Sequence, residues 1–542
     1  MNLKDEISNI LRGEVSDDPS VLASNSHDAS LFEITPRLVV KPKDTDDLRL
    51  LVKYVNEHKN DGLSITARSA GTDMSGGSIG NSIVVDFSEH FSGIKEVGDG
   101  YAVSQPGVYY RDFDIATLAK GQILPSFPAS REICTVGGMV ANNSGGEKSL
   151  RYGKTENFVQ ELKVVLADGN EYSLGPIAKA ELDRKMTKLD FEGYVYRETF
   201  SLIEKNFEKL MRAKPDVSKN SAGYNLWSVW DRTTFDLSKL FVGSQGTLGL
   251  ISEIRFGLVK PETHSKLIVI FLRSLEHLPE IINDVLAHDP ESFESYDDHT
   301  LKFAIRYSSD IMKQMGTDAF GFALKFLPEA WLTLTSGFPK QVLLAEFTGK
   351  SETEVDEKIA AVQKMLKPLR LASRVTKTEE EAKKYWIIRH ESFNLLRKHF
   401  KSLQTAPFID DFCVKPSQLP RFLPQLYAIL DRYKLMLTVV GHMGDANFHI
   451  IPLMDLSDPK TPGVIDSLSK EVYELVFSYG GSMTGEHNDG MIRGPYLKQM
   501  FGEDVFGIFQ QVKKIFDPDN IFNPHKKTDS DFGFAMSHLK KS

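Results

Sequence analysis

The sequence predicts an α+β fold in two parts. Three observations carry the prediction. At 542 residues the chain is too long for one ordinary hydrophobic core. Short β-rich runs alternate with helical stretches along most of its length. Three glycine-rich loops fall between strand-like runs in the first half, while two histidines bracket a predicted hairpin in the second.

The elements follow in order. Residues 3–12 have the apolar spacing of a short amphipathic helix, so 1–32 reads as an N-terminal helical segment. LVVKP (38–42) reads as a strand, and Asp44-Thr45-Asp46-Asp47 caps the helix LRLLVKYVNEH. SITAR (64–68), SIVVDFS (82–88) and YAVSQPG (101–107) are strands, and RDFDIATLAKG (111–121) is a helix stopped by glycine. VQELKVVLADGNEYSL (159–174) is a hairpin turning at Asp168-Gly169. Residues 175–223 are charged and helical, an insertion over one face. A glycine-rich turn and a strand then close a first domain, 33–261, at Pro261.

The second domain, 262–527, opens with two strand–helix–strand units. SKLIVIFL, a helix near 276–288 and SFESYD form one; QVLLAEFTG, the helix SETEVDEKIAAVQKML and a strand near 370–376 form the other. A long helix over 378–400, strand 408–414, helix 417–431, strands 434–441 and 447–454, and helix 463–479 follow. Residues 528–542 read as a polar tail.

Bulk properties narrow the function classes. Apolar content of 41% and charged content of 26% suit a soluble globular enzyme. A net charge of −9 argues against a nucleic-acid partner. Cys134 and Cys413 are too few for an iron–sulfur cluster or a disulfide framework, which suits a reducing compartment. The N-terminal residues lack an apolar h-region and no run reaches the length of a membrane span. The expected location is the cytoplasm, with peripheral attachment at a membrane as the variant.

ARSAGTDMSGGSIG (67–80) follows a strand and lets successive backbone N–H groups face an anion such as a pyrophosphate. It matches neither the G-x-G-x-x-G nor the Walker pattern. CTVGGMVANNSGG (134–146), after Pro128-Ala129-Ser130, offers small residues against which a flat ring system lies. GSQGTLG (243–249) adds exposed backbone donors. GHMGDANFH (441–449) places His442 and His449 across a hairpin mouth, and TGEHNDG (484–490) supplies Glu486 and His487. Two imidazoles, a carboxylate and a further histidine suit an open divalent-metal site beside a base. In extended backbone Glu486 and His487 point to opposite sides; in a turn both reach the metal.

These motifs, with PASREICTVGGMVANNSGG, RYGKT (151–155), KNSAGYNL (219–226) and FDPDNIFNPHK (516–526), resemble the FAD-linked oxidases of the vanillyl-alcohol-oxidase/p-cresol-methylhydroxylase superfamily. The resemblance runs over about 33–527, and within the family it is to the D-lactate dehydrogenase, glycolate oxidase flavin subunit and D-2-hydroxyglutarate dehydrogenase group. It implies a two-part FAD-binding domain of the p-cresol-methylhydroxylase type and an α+β substrate or cap domain with ferredoxin-like units. It implies that Arg68, Ser69, Ala70, Gly71, Thr72, Asp73, Ser75, Gly76 and Gly77 wrap the pyrophosphate. Pro128, Ala129, Ser130, Thr135, Gly137, Gly138, Ala141, Asn142, Ser144 and Gly145 would line the dinucleotide and the flavin ring, Gly246 and Gly249 would also bind the cofactor, and Ile251 would sit near the adenine side. His442, His449 and Glu486 would hold a divalent cation, Zn²⁺ or Mn²⁺. His487 would be the base and Arg389 the partner of a substrate carboxylate.

The implied reaction is oxidation of a small D-2-hydroxy acid to the 2-oxo acid, with hydride to flavin N5. The electrons then pass to a separate acceptor: an electron-transfer flavoprotein, a quinone, a cytochrome or an iron–sulfur subunit. A homodimer is one expected assembly. The FAD is expected to be non-covalent, since no histidine occurs between His90 and His264. Cys134 is a candidate attachment point or redox-sensitive thiol, a small buried residue being the simpler reading. Gln245 stands where relatives frequently have glutamate, and Asn488-Asp489 where many have Gly-Ile, which leaves the substrate-side contour open. Lys415 and Arg493 are weaker candidates for a second carboxylate. The alternative is an FAD-binding electron-transfer subunit without its own substrate chemistry, which would lack the histidine cluster. A non-redox flavoenzyme and a closed structural metal site fit the motifs less well.

Overall fold

A computed structural model describes residues 2–399 and 403–540. The first sheet joins β1 (Glu14–Ser16), β2 (Leu38–Lys41), β3 (Ile65–Arg68) and β4 (Ile83–Asp86) in the order β1-β2-β4-β3, with β2, β4 and β3 parallel. Parallel strands of one sheet need a crossover, and the helix Thr45–Glu57 supplies it from β2 to β3, with β4 paired between them. It begins earlier than expected because the Asp44 carboxylate accepts from the N–H groups of Asp46 and Asp47. Its buried stripe of Leu48, Leu51, Val52 and Val55 packs on the sheet.

The second sheet is antiparallel. It contains β5 (Ile94–Val97), β6 (Tyr101–Ser104) and the hairpin β7 (Val159–Val165) and β8 (Glu171–Leu174). A ribbon of β9 (Pro176–Ala178) and β10 (Thr234–Asp236) flanks the helical insertion before β11 (Leu250–Gly257) completes the order β5-β6-β11-β7-β8. The insertion forms helices Lys179–Met186, Phe191–Lys205 and Phe207–Ala213.

In the second half, β12 (His264–Leu272), β13 (Ser292–Asp297), β14 (Gln341–Gly349) and β15 (Ala372–Val375) lie in the order β15-β12-β14-β13. Helices Leu278–Leu286 and Glu352–Leu366 connect the pairs, which makes this a ferredoxin-like unit. Residues 298–340, for which the patterning raised no expectation, add helices Asp298–Arg306, Ser308–Gln314 and Ala319–Ser336.

Two short pieces follow, β16 (Gln404–Thr405) and β17 (Phe412–Cys413). The hairpin β18 (Leu437–His442) and β19 (Asn447–Met454) then extends the sheet from β13. The expected strand 408–414 is thus strand only at its end. Asp411 takes φ +77° and bends the chain, so that Asp410 and Asp411 both turn their carboxylates to buried partners. A regular strand sends consecutive side chains to opposite faces.

The sequence-based boundaries at 262 and 527 do not separate the halves in space. Helix Leu497–Phe516 buries Val505, Phe509, Val512 and Phe516 in the core of the second sheet. Residues 521–523 then pair with β3: Ile65 N–H donates to Ile521 O, and Asn523 N–H to Ile65 O. Nor is 528–540 an extended tail, since it folds into helix Phe532–Ser537 and pairs with residues 31–33.

Candidate active site

The register of the second-half sheet sets the histidines. On β18 the side chains of Thr438, Val440 and His442 share a face. Cross-strand pairing puts Ile451 opposite Thr438, His449 opposite Val440 and Glu294 of β13 opposite His442. The imidazoles of His442 and His449 therefore lie on one face, ring centroids 5.2 Å apart. The turn between them is a 3₁₀ turn, Met443–Asp445, closed by Ala446 at φ +48°.

The loop 484–490 brings the remaining groups. Asp411 Oδ2 accepts from the N–H groups of Glu486 and His487 and from the Thr484 hydroxyl, while its Oδ1 accepts from Asn447. This fixes the loop, and it leaves Asp411 as a scaffold although its carboxylate lies within 4.8 Å of the ligand atoms of His449, Glu486 and His487. Glu486 Oε1 sits 3.0 Å from His442 Nε2 and 3.4 Å from His449 Nε2. Glu486 Oε2 accepts from Lys219 Nζ at 2.9 Å. Burial opposes the Glu486 charge, but Lys219 and His442 outweigh it and hold the carboxyl well below its ordinary range.

Each imidazole is oriented from behind. His442 Nδ1 lies 2.5 Å from Glu294 Oε1, and His449 Nδ1 lies 3.0 Å from Asp410 Oδ1. Ionised carboxylates only accept, so both Nδ1 atoms donate to them, and both Nε2 atoms face Glu486 Oε1. Asp410 also reaches His487 Nδ1 at 2.5 Å, so one carboxylate orients two rings. His487 stacks on His449 at 4.9 Å, with its Nε2 left for the cavity. Its pKa is raised: burial lowers it, but Asp410 and Asp411 prevail. The fully buried Arg493 donates to the main-chain carbonyls of Asp410, Asn488 and Pro407.

The donor set fits a cation. Zn–N and Zn–O bonds of about 2.0–2.1 Å in tetrahedral geometry place ligand atoms about 3.3 Å apart. The observed 3.0 and 3.4 Å bracket that spacing. Burial disfavours a charged His449, yet Asp410 and Glu486 push its pKa up to about 10. The carboxylates thus call for positive charge at this point.

The glycine loops form one wall. Ser69 and Thr135 share a hydroxyl hydrogen bond of 2.6 Å, Asn142 donates to Asp73, and Gln245 donates to Ser75 and Asn142. Gly71 takes φ +65°, where a Cβ would lie 2.3 Å from the Arg68 guanidinium. A Cβ on Gly137 would sit 2.6 Å from Pro106 O. Together the loops and the histidine face line one cavity of about 810 Å³, into which all the expected cofactor residues except Ser75 and Gly76 project. Ser75 is buried beneath the loop, where its hydroxyl donates to Asp73, and Gly76 packs on Phe32 and Met491. The flat apolar and pyrophosphate-sized requirements of FAD fit this lining. Cys134 lines it too, and burial pushes its thiol up to about 12.

Arg389 and His390 stand at the histidine end of the cavity, where Arg389 also pairs with Glu294 at 3.1 Å. Lys415 lies outside the lining, paired with the exposed Asp216, and Arg493 is spent on carbonyls. Neither is among the residues that line the cavity. Asn488 and Asp489 do not shape the substrate side either: they bind Asn142 O, Gly243 O and Lys527. Motif reading missed Asp410, Asp411, Glu294 and Lys219. Two adjacent aspartates inside the apolar run PFIDDFCV were the available signal.

Two family models match this chain, the FAD binding domain over residues 36–175 and the FAD linked oxidases, C-terminal domain over 261–527. A D-2-hydroxyglutarate dehydrogenase of Pseudomonas putida is 27% identical over 529 residues, covering 95% of this chain and 50% of that protein. The chain thus spans about half the length of the first curated relatives it matches. The glycolate oxidase subunit GlcD of Bacillus subtilis is 28% identical, covering 92% of this chain and 91% of that one. A structure of p-cresol methylhydroxylase with substrate bound superposes with a TM-score of 0.65 at 16% identity, over 96% of this chain and 94% of that one, and shares the fold.

Proposed function

We propose that this chain, which matches the FAD binding domain over residues 36–175 and the FAD linked oxidases, C-terminal domain over 261–527, oxidises a D-2-hydroxy acid to the 2-oxo acid. The observation that supports this most is the convergence of His442 Nε2, His449 Nε2 and Glu486 Oε1 on the cavity that the glycine loops line.

The lining residues of the three loops would hold FAD, which when bound supplies the acceptor for the electron pair leaving the substrate carbon. A divalent cation held by His442, His449 and Glu486 would acidify the substrate hydroxyl. His487 Nε2 takes the hydroxyl proton, since its Nδ1–H is committed to Asp410. Arg389 anchors the substrate carboxylate while Glu294 fixes its guanidinium. Thr438, Val440 and Ile451 line the cavity wall beside them. The reduced flavin would then pass its electrons to an acceptor.

The test is anaerobic bleaching of the bound flavin by a panel of D- and L-2-hydroxy acids, repeated with His487→Ala. Bleaching by a D-acid that the variant loses supports the reading. A flavin-loaded protein that no hydroxy acid reduces would move the function to electron transfer alone.

A further inference from the structure

Residues 27–29 line the cofactor cavity, yet they precede the match to the FAD binding domain, which begins at 36. Residues 538–540 likewise follow the match that ends at 527. These two outlying stretches are joined to each other. Glu33 N–H donates to His538 O at 2.9 Å, Lys540 N–H donates to Leu31 O at 3.0 Å, and Phe32 faces Leu539 in an antiparallel bridge. Lys540 Nζ donates to the carbonyls of Asp28 and Ser30.

The joined strands press on the first glycine loop. Phe32 is fully buried, and a Cβ on Gly76 would lie 2.8 Å from its ring. Arg68 donates to His27 O at 2.9 Å, and Ser78 donates to the Asp28 carboxylate. Leu31, Phe32 and Ile34 share a core cluster with Phe534, Met536 and Leu539, so apolar burial holds the strap down as well as hydrogen bonds.

We infer that residues 27–29 complete the FAD site at its glycine-loop end, and that residues 538–540 are positioning residues that hold them closed over the dinucleotide. The inference rests on the FAD reading above. It makes cofactor retention depend on two segments from opposite ends of the sequence. Flavin leaves only when the strap 25–34 lifts, and the pairing with 538–540 resists that motion.

The experiment measures FAD dissociation from the flavin-loaded protein, as the rise of free-flavin fluorescence after dilution. The variants are a chain ending at Ser537 and Lys540→Met, which keeps the main-chain pairing. Melting of the flavin-free proteins is followed in parallel. We expect dissociation to quicken about tenfold or more in the shortened chain and a few-fold in Lys540→Met, with Lys540→Arg restoring the slow rate. Flavin-free melting should stay close to that of the parent. Unchanged dissociation in both variants would overturn the strap. A parent protein that takes up no flavin would sink the FAD reading and the strap with it.

Discussion

The two ends of the cavity are built on opposite principles. The glycine-loop end is mostly backbone: glycines, small residues and hydroxyls from loops at 67–80, 128–146 and 243–249, tied by hydrogen bonds among small polar groups and to the Asp73 carboxylate. The histidine end is mostly buried charge. Glu294, Asp410, Asp411 and Glu486 each hold or are held by another buried polar group, and Lys219, Arg389 and Arg493 balance them. Backbone cradles depend on the absence of side chains and tolerate polar change around them. Buried ion networks fail when one partner is removed, because the other charge is left desolvated.

The difference is tested most severely at His487. Replacing it with alanine should slow substrate-driven flavin bleaching by about 10²–10⁴-fold, the usual worth of a positioned general base. Flavin content, read from absorbance, should not change. If flavin is lost as well, the two ends are not separable.

Asp410→Asn probes the layer behind the rings. It removes the anion that orients His449 and His487 together. Metal affinity and bleaching rate should fall by about 10–100-fold, as for other carboxylates behind metal-bound histidines. A variant with parental metal content and rate would make Asp410 merely structural.

Gly137→Ala should do the reverse. A Cβ there meets Pro106 O at 2.6 Å, so overpacking should remove about 1–3 kcal/mol of stability and lower flavin occupancy. Metal content per folded chain should hold. Urea unfolding and metal analysis of the same sample decide it.

A pH-dependent effect belongs to Asp28, a carboxylate at the glycine-loop end of the cavity. Burial and then Asp73 raise its pKa to about 6, against the pull of Lys540; Arg68 and Lys526 also face it. A carboxyl raised in the folded state favours folding below its unfolded value of 3.8 and loses that contribution as pH rises through about 6. Asp28→Asn should therefore gain up to about 2–3 kcal/mol near neutral pH and flatten the dependence between about pH 4 and pH 6. Urea midpoints across that range that keep the parental slope would contradict the assignment.

The contrast also explains what was legible in the sequence. Glycine loops are local, so 67–80 and 134–146 stood out in the sequence, and the family resemblance tied them to FAD. The ferredoxin-like units were legible from alternating apolar runs, and the hairpin from its turn residues. The supporting charges were not. Glu294 meets His442 only through the pairing of β13 with β18, and Lys219 meets Glu486 across 267 positions of sequence. Asp410 and Asp411 sat inside an apolar run that resembles a strand, and the bend at Asp411 depends on the loop it anchors. The pairing of residues 31–33 with 538–540 left no periodic trace at all.

The proposed metal and flavin sites share one cavity and stand mainly on different supports, buried ion pairs at one and glycine loops at the other, joined where Asn488 donates to Asn142 O and Gly243 O. Metal and flavin content should be measured on the same preparations of the parent and of the His442→Ala/His449→Ala variant. The account predicts bound divalent metal and flavin in the parent, and flavin without metal in the variant. A variant that keeps its metal, or one that loses flavin together with it, would contradict the account.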